Sequence, residues 1–141
     1  MSAALIIHRA GPQVTVQDLG RSGTLGLGLS RGGAMDRLAI YEGAALMGQD
    51  PSCAVLEMAG MGVVVVATCD TRIALTGAEM TVTLDGAPLR WNASHTLPKG
   101  ARLDIGGVRA GNYGYFHIAG GIQTQPMMGS RSAHLAGGVG A

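Results

Sequence analysis

Short runs of apolar or alternating residues, separated by turn residues, recur along the whole chain. A β-sandwich or β-barrel has this pattern, whereas an α/β protein alternates its strands with longer helical segments. We therefore predict an all-β chain that is β-rich with one short helix. The runs predict strands over residues 5–9, 13–18, 55–58, 63–67, 72–76, 80–84, 95–97, 101–105 and 113–119.

The residues between these runs predict how consecutive strands are joined. A Gly-Pro pair at residues 11–12 and a Pro-Lys-Gly turn at residues 98–100 each separate two runs, so a hairpin is expected at both places. Asp85-Gly86 is a strong two-residue turn signal, because both central positions of a type I′ turn need positive φ. A third hairpin is predicted there.

One segment, residues 36–47, has helical rather than alternating periodicity. Asp36 can accept hydrogen bonds from the first free N–H groups, and Gly48 suits the position just past the end. Gly43 weakens such a helix by about 1 kcal/mol relative to alanine, so packing has to help to stabilise it. The residues expected to share a face are Leu38, Tyr41 and Ala45.

The composition is that of a single domain with a buried core. The chain has 141 residues, of which 47% are hydrophobic and 13% are charged. The formal net charge is only +1 and the basic residues are dispersed, so we expect neither a nucleic-acid nor a membrane partner. No run approaches the roughly 20 apolar residues of a membrane span, and the N-terminal segment lacks signal-peptide features, so a cytoplasmic protein is expected.

The histidines and cysteines do not form a metal-binding pattern. No cluster has ligand spacing, so no metal site is predicted, and a hydrogen-bonded structural or surface histidine is the favoured interpretation of each. The cysteines lack C-x-x-C spacing and are expected to be reduced core thiols. These residues are His8, His95, His117, His134, Cys53 and Cys69.

The glycine-rich stretch between the second predicted strand and the helix holds the most candidate chemistry. Its glycines, Gly33 among them, can take positive φ and turn backbone N–H groups towards a ligand. The same stretch also contributes polar side chains that could face a ligand, namely Asp18, Arg21, Ser30 and Arg31. A ligand-binding loop and a tight connection in a glycine-rich fold both fit the pattern, because no phosphate-loop motif is satisfied.

Arginines and serines in the loops suggest two kinds of chemistry. Arg21, Arg31 and Arg131 each stand in a loop rich in glycine or serine, where a guanidinium can bind a carboxylate or phosphate. Solvated surface arginine is the alternative. Ser30 and either Ser130 or Ser132 are candidate nucleophiles, but no G-x-S-x-G motif is present, so loop hydrogen bonding is the favoured role.

Seven short motifs follow one another along the chain: V-Q-D-L-G-R (16–21), G-A-M-D (33–36), L-E (56–57), A-L-T-G-A (74–78), L-D-G (84–86), A-G-G-I (119–122) and G-S-R-S (129–132). In these motifs and their order the chain resembles the biotin-dependent carboxyltransferase-like family, also called allophanate hydrolase subunit 2. Its members include the C subunit of bacterial 5-oxoprolinase. The resemblance extends over nearly the whole chain.

This resemblance implies a cyclophilin-like β-barrel in a protein that works with two further subunits, namely a B-type partner of related fold and an A-type partner. In oxoprolinase members the complex opens 5-oxoproline to glutamate with ATP hydrolysis, so ATP is expected on a partner and no cofactor on this chain. In other members the homologous domain transfers a carboxyl group from carboxybiotin to urea, which makes biotin the cofactor in that alternative. Another relative antagonises an inhibitor of a sporulation kinase, so a non-catalytic regulatory module is a third hypothesis.

The resemblance also directs the site hypothesis. Arginines are expected to bind a substrate carboxylate or a phosphorylated intermediate, while an aspartate orients an arginine or a water. The expected catalytic residues are Asp18, Arg21 and Arg131, and the expected substrate-binding residues are Ser30, Arg31, Gly33 and Ser130.

Three positions and the length depart from the family's pattern. Ala44 and Gln49 stand where asparagines are usual, and Ala133 stands where a threonine is usual. Typical members are longer, so residues 1–141 are expected to form one β-barrel domain, the N-terminal half of a longer subunit that is inactive alone. The sequence is also compatible with assembly of several copies of the chain into a homo-oligomer.

Overall fold

The computed structural model describes residues 4–19 and 34–122, and within these ranges it is built of strands and one helix. The predicted β-rich class with one short helix is confirmed. Over the same ranges, no helix has the length and apolar character that crossing a membrane requires. The elements are β1 (Leu5–Ala10), β2 (Val14–Gln17), α1 (Arg37–Met47), β3 (Val55–Ala59), β4 (Val63–Ala67), β5 (Thr71–Gly77), β6 (Met80–Leu84), β7 (Ala87–Pro88), β8 (Ala93–Leu97), β9 (Arg102–Val108) and β10 (Tyr113–Ile118).

The strands form two five-stranded antiparallel sheets that share one core. Sheet 1 has the order β1-β4-β9-β6-β7, and sheet 2 has the order β2-β3-β10-β5-β8. Val65 and Leu103 of sheet 1 belong to the same buried cluster as Leu56 and Phe116 of sheet 2. The inner faces of both sheets therefore enclose the core, which gives the barrel-like architecture its stability.

Most consecutive strands belong to different sheets. Asp85-Gly86 does join β6 to β7 within sheet 1, with φ values of 49° and 86° at its two residues. The hairpins predicted at residues 11–12 and 98–100 are wrong, because β1 and β2, and likewise β8 and β9, lie in opposite sheets. A strand has the same alternating pattern whether its neighbour pairs with it or faces it across the core.

The ends of α1 follow the capping signals in the sequence. Asp36 Oδ1 accepts a hydrogen bond from Ala39 N at 3.2 Å. At the other end Gly48 takes φ 65° and donates its N–H to the Ala45 carbonyl. These caps pair backbone groups that the helix itself leaves free.

The face of α1 that packs on sheet 2 combines one large apolar side chain, Ile40, with three small residues. Leu38 and Tyr41, which the sequence places on one face, are 67% and 47% exposed. Small side chains allow a closer approach between helix and sheet. The buried helix residues are Ala39, Ile40, Gly43 and Ala44.

Gly43 lies where α1 approaches sheet 2 most tightly. A Cβ atom at this position would be 2.0 Å from Cε1 of His117 in β10, far inside the 3.5–4.0 Å or so of ordinary carbon contacts. The glycine that lowers intrinsic helix propensity is therefore required by the packing of the helix.

Replacement of this glycine, Gly43→Ala, should destabilise the protein even though alanine is the better helix former. The methyl group overlaps the His117 ring, and overpacking a filled core typically costs about 1–3 kcal/mol. Urea unfolding measures the effect. In a His117→Ala background the same change should become stabilising by about 1 kcal/mol. An equal loss in both backgrounds would contradict the contact.

Candidate functional site

A row of polar residues crosses the outer face of sheet 2, on the side covered by α1. In the strand registers Thr15 lies opposite Glu57, Glu57 opposite Tyr115, and Tyr115 opposite Thr76. Directly opposed residues of antiparallel strands project to the same face. Glu57, Tyr115 and Thr76 are buried, so their polar atoms need partners inside the protein.

Glu57 and Tyr115 hold the chain just before α1. The Tyr115 hydroxyl donates to Glu57 Oε2 at 2.6 Å and accepts a hydrogen bond from Asp36 N at 2.8 Å. The same carboxylate oxygen accepts from Met35 N at 2.8 Å. Burial, reinforced by the hydrogen bond to Glu57, raises the pKa of Tyr115. The phenol therefore stays protonated and remains a donor at neutral pH.

The two flanks of residues 20–33 are fastened together beside this pair. Ala34 N donates to the Asp18 carbonyl oxygen at 3.0 Å, and the Arg37 guanidinium donates to the Leu19 carbonyl. Asp18 itself is buried. Residues 18–19, which lead into the glycine-rich segment, are thus hydrogen-bonded to residues 34–37, which lead out of it. We call these two joined stretches the anchored base of the segment.

His117 and Thr76 attach the first turn of α1 to sheet 2. The Thr76 hydroxyl donates to the Ala39 carbonyl at 2.8 Å and lies 2.7 Å from His117 Nε2. Because the single hydroxyl proton is used on Ala39, His117 Nε2 is assigned as the donor to Thr76. Burial lowers the pKa of His117 to about 4, so the ring is neutral at pH 7 and has the structural role expected of it.

The structure tests the position of one candidate residue from the sequence. Asp18 lies at the anchored base, next to Ala34 and close in sequence to the polar row. No group of three or more side chains suited to a metal gathers within residues 4–19 and 34–122. The other candidates lie outside the described residues and stay predictions: Arg21, Ser30, Arg31, Gly33, Ser130 and Arg131.

Sequence reasoning missed the residues that build the anchor. Glu57 stands in the middle of the apolar strand β3, and a buried charged residue in such a run was the available signal. Tyr115 and Thr76 gave no comparable signal, because strands commonly contain tyrosine and threonine. Their importance follows from the strand registers, which place them in line with Glu57.

The anchor joins residues from several of the short motifs. Asp18 from V-Q-D-L-G-R, Ala34 and Met35 from G-A-M-D, and Glu57 from L-E are joined by the backbone and side-chain hydrogen bonds described above. Thr76 from A-L-T-G-A binds the helix that G-A-M-D begins. The motifs are distant in sequence but adjacent on one face of sheet 2.

Two solved structures share this architecture. The crystal structure of K. lactis urea amidolyase matches with a TM-score of 0.87 and 29% identity, covering 91% of this chain and 8% of that chain. Kluyveromyces lactis urea carboxylase also matches with a TM-score of 0.87 and 29% identity, covering 91% of this chain and 11% of that chain.

Residues 27–141 match the family model described as carboxyltransferase domain, subdomain A and B. The chain belongs to this family, which confirms the resemblance found in its motifs. It is 36% identical over 136 residues to the C subunit of Escherichia coli 5-oxoprolinase, covering 96% of this chain and 44% of the relative. It is 31% identical over 138 residues to Saccharomyces cerevisiae urea amidolyase, covering 97% of this chain and 8% of the relative.

Removal of the Tyr115 hydroxyl, Tyr115→Phe, should loosen the anchor. Asp36 N then loses its acceptor and Glu57 loses a donor, and leaving a buried polar group unpaired costs about 1–3 kcal/mol. We expect lower stability in urea and faster amide exchange at Met35 and Asp36. Tyr41→Phe, at an exposed helix position, is the matched control. Unchanged exchange in Tyr115→Phe would contradict the anchoring role.

Protonation of His117 should make the protein less stable at mildly acidic pH. Its pKa is about 4 when folded and about 6.5 when unfolded, so the unfolded chain binds more protons between these values. Stability should fall as the pH drops from 6.5 towards 4, by about 3 kcal/mol in all. Unfolding curves across this range should show a smaller fall for His117→Gln. The same fall in both proteins would assign it to other groups.

Proposed function

We propose that this chain is part of a subunit of a heteromeric, ATP-dependent 5-oxoprolinase that converts 5-oxoproline to glutamate. The observation that carries the proposal is the 36% identity to the C subunit of Escherichia coli 5-oxoprolinase over 96% of the chain. The chain spans 44% of that relative's length, so the complete reaction is expected only from a longer form together with A-type and B-type partner subunits. ATP is expected on one of these partners.

The anchored base of the glycine-rich segment supports this proposal. Its flanks are held by the Ala34–Asp18 and Met35–Glu57 hydrogen bonds, on a sheet whose other face contributes to the buried core. Binding loops work best on such rigid scaffolds. The proposed substrate-binding groups in this segment are Ser30, Arg31 and Gly33, with Ser130 from the later serine-rich motif.

The proposed chemistry is electrostatic. Arg21 and Arg131 would bind the substrate carboxylate or a phosphorylated intermediate, because a guanidinium presents paired donors to such oxygens. Asp18 would orient Arg21 or a water molecule. Fixed positive groups of this kind stabilise the negative charge that develops on oxygen when an amide is opened.

Carboxyl transfer to urea is the second candidate function. It is supported by the 31% identity to Saccharomyces cerevisiae urea amidolyase over 97% of the chain and by the TM-score of 0.87 with its K. lactis counterpart. In that reaction biotin would be delivered by another domain or chain. Both candidates have a small amide-type substrate, but 5-oxoproline would react at its lactam carbonyl, whereas urea would accept the carboxyl group on a nitrogen.

Glutamate release from 5-oxoproline and ATP tests the first candidate directly. The partner subunits are mixed with the 141-residue chain, with its longer form, or with neither, and glutamate is measured. Release that depends on the longer form supports the proposal and assigns essential groups to the additional residues. Absence of release with either form rejects it, and biotin-dependent urea carboxylation or binding to a regulatory partner is then measured.

Replacement of either proposed catalytic arginine, Arg21→Ala or Arg131→Ala, should lower turnover in the reconstituted complex by roughly 100- to 1000-fold. Folding should be unchanged, as checked by circular dichroism and urea unfolding. Arg9→Ala is the matched control, because the Arg9 side chain is exposed and its ion pair with Asp104 at 3.2 Å lies at the surface. Unchanged turnover in both arginine variants would reject the assignment.

A further inference from the structure

The outer surface of α1, which faces away from sheet 2, is apolar. Met35, just before the helix, is 68% exposed, and Leu38, Tyr41 and Leu46 are exposed as well. At 3.6 residues per turn, Leu38, Tyr41 and Leu46 lie within an arc of about 140°. The buried helix residues occupy the opposite arc. Both sides of α1 are therefore apolar, one packed on sheet 2 and the other exposed.

A helix that is apolar all round is normally buried on all sides. In α1 only Arg37 and Glu42 carry a charge, and clusters of exposed large apolar residues generally mark interaction sites. The outer face of sheet 1 has the polar character that contact with water predicts, since Thr83 lies opposite Asp104, which forms an ion pair with Arg9. The outer surface of α1 thus has the composition of an interface.

The charge on this surface argues against a second copy of the chain as its occupant. Glu42 is exposed and is the middle residue of α1. A two-fold axis through the middle of the helix would bring two Glu42 carboxylates together where water is excluded, and like charges there repel. Arg37 is not placed to neutralise them, because its guanidinium donates to the Leu19 carbonyl. The surface instead fits an occupant with apolar side chains and a basic group.

The size of the surface favours an occupant on the same polypeptide. With 11 residues, α1 is roughly 17 Å long and about 10 Å wide. A strip of this size is far below the about 800 Å² per partner that free-standing complexes typically bury. Linkage on one chain supplies a high effective concentration, so a tethered occupant needs less area. Because the chain spans 44% of the Escherichia coli relative, more than half of that relative lies outside the match.

We propose that the additional half of the longer subunit docks on the outer surface of α1. It presents apolar side chains to Leu38 and Tyr41 and a lysine or arginine to Glu42, because a covered carboxylate needs an opposite charge. Met35 N is bonded to Glu57, so the docked half lies beside the anchored base of the glycine-rich segment. The inference rests on the longer form in the proposed function but not on the identity of the substrate.

Thiol labelling measures whether this surface is covered. Leu38→Cys is made in the 141-residue chain and in the longer form, and its reaction with a maleimide is followed by peptide mass spectrometry, which separates it from Cys53 and Cys69. A covered thiol reacts only when the surface opens, so we expect labelling roughly 10-fold or more slower in the longer form. Ala87→Cys, exposed at the edge of sheet 1, is the matched control. Its rates in the two forms should agree within about twofold.

Three results would overturn the inference. One is equal labelling of Leu38→Cys in the two forms. Another is protection that appears only after a partner subunit is added, which would assign the surface to that subunit. The third is protection of the 141-residue chain that grows with its concentration, which would assign the surface to a second copy. Labelling does not depend on turnover, so none of these results decides whether the complex releases glutamate.

Replacement of the same residue by a charge, Leu38→Glu, gives an independent measure. Glutamate is a good helix former and the position is exposed, so the Tm of the 141-residue chain should change little. In the longer form the change adds a carboxylate to a covered apolar surface, and the Tm should fall by several degrees. The same change in Tm in both forms would speak against docking on α1.

Discussion

The hydrogen bond between the Tyr115 hydroxyl and Glu57 is the interaction on which the candidate site depends. It joins adjacent strands of sheet 2, and both partners also bind the backbone just before α1, at Met35 and Asp36. One buried carboxylate and one buried phenol therefore fix where the helix begins. Because Ala34 is bonded to Asp18, the same pair also positions the base of the glycine-rich segment.

The packing of α1 shows a compromise between local preference and tertiary fit. Gly43 lowers the intrinsic stability of the helix, yet a side chain there would overlap His117. The close approach allows Thr76 to reach the Ala39 carbonyl and keeps the His117 ring neutral by burial. Polar contacts thus fix the orientation of the helix, in which Ile40 is buried while Leu38 and Tyr41 stay on the outer surface.

A scaffold of this kind is compatible with more than one chemistry. The chain belongs to a family whose relatives include urea amidolyase and the C subunit of 5-oxoprolinase, and fold alone does not select between their reactions. The anchored base would position loop groups in either reaction. Which of the two reactions takes place would be decided by cofactors on other domains or chains.

The sequence by itself determined the features that depend on near neighbours. Strand alternation, the Asp36 and Gly48 caps and the Asp85-Gly86 turn all follow from interactions within a few residues. Tertiary structure alone decided which strands pair, which face of α1 is buried, and that Glu57, Tyr115 and Thr76 stand in one line. The motifs around Asp18 and Glu57 did not reveal that these two parts of the chain meet. Sheet pairing and burial depend on contacts between residues far apart in sequence, and alternating patterns are the same for strands that pair and for strands that face each other across a core.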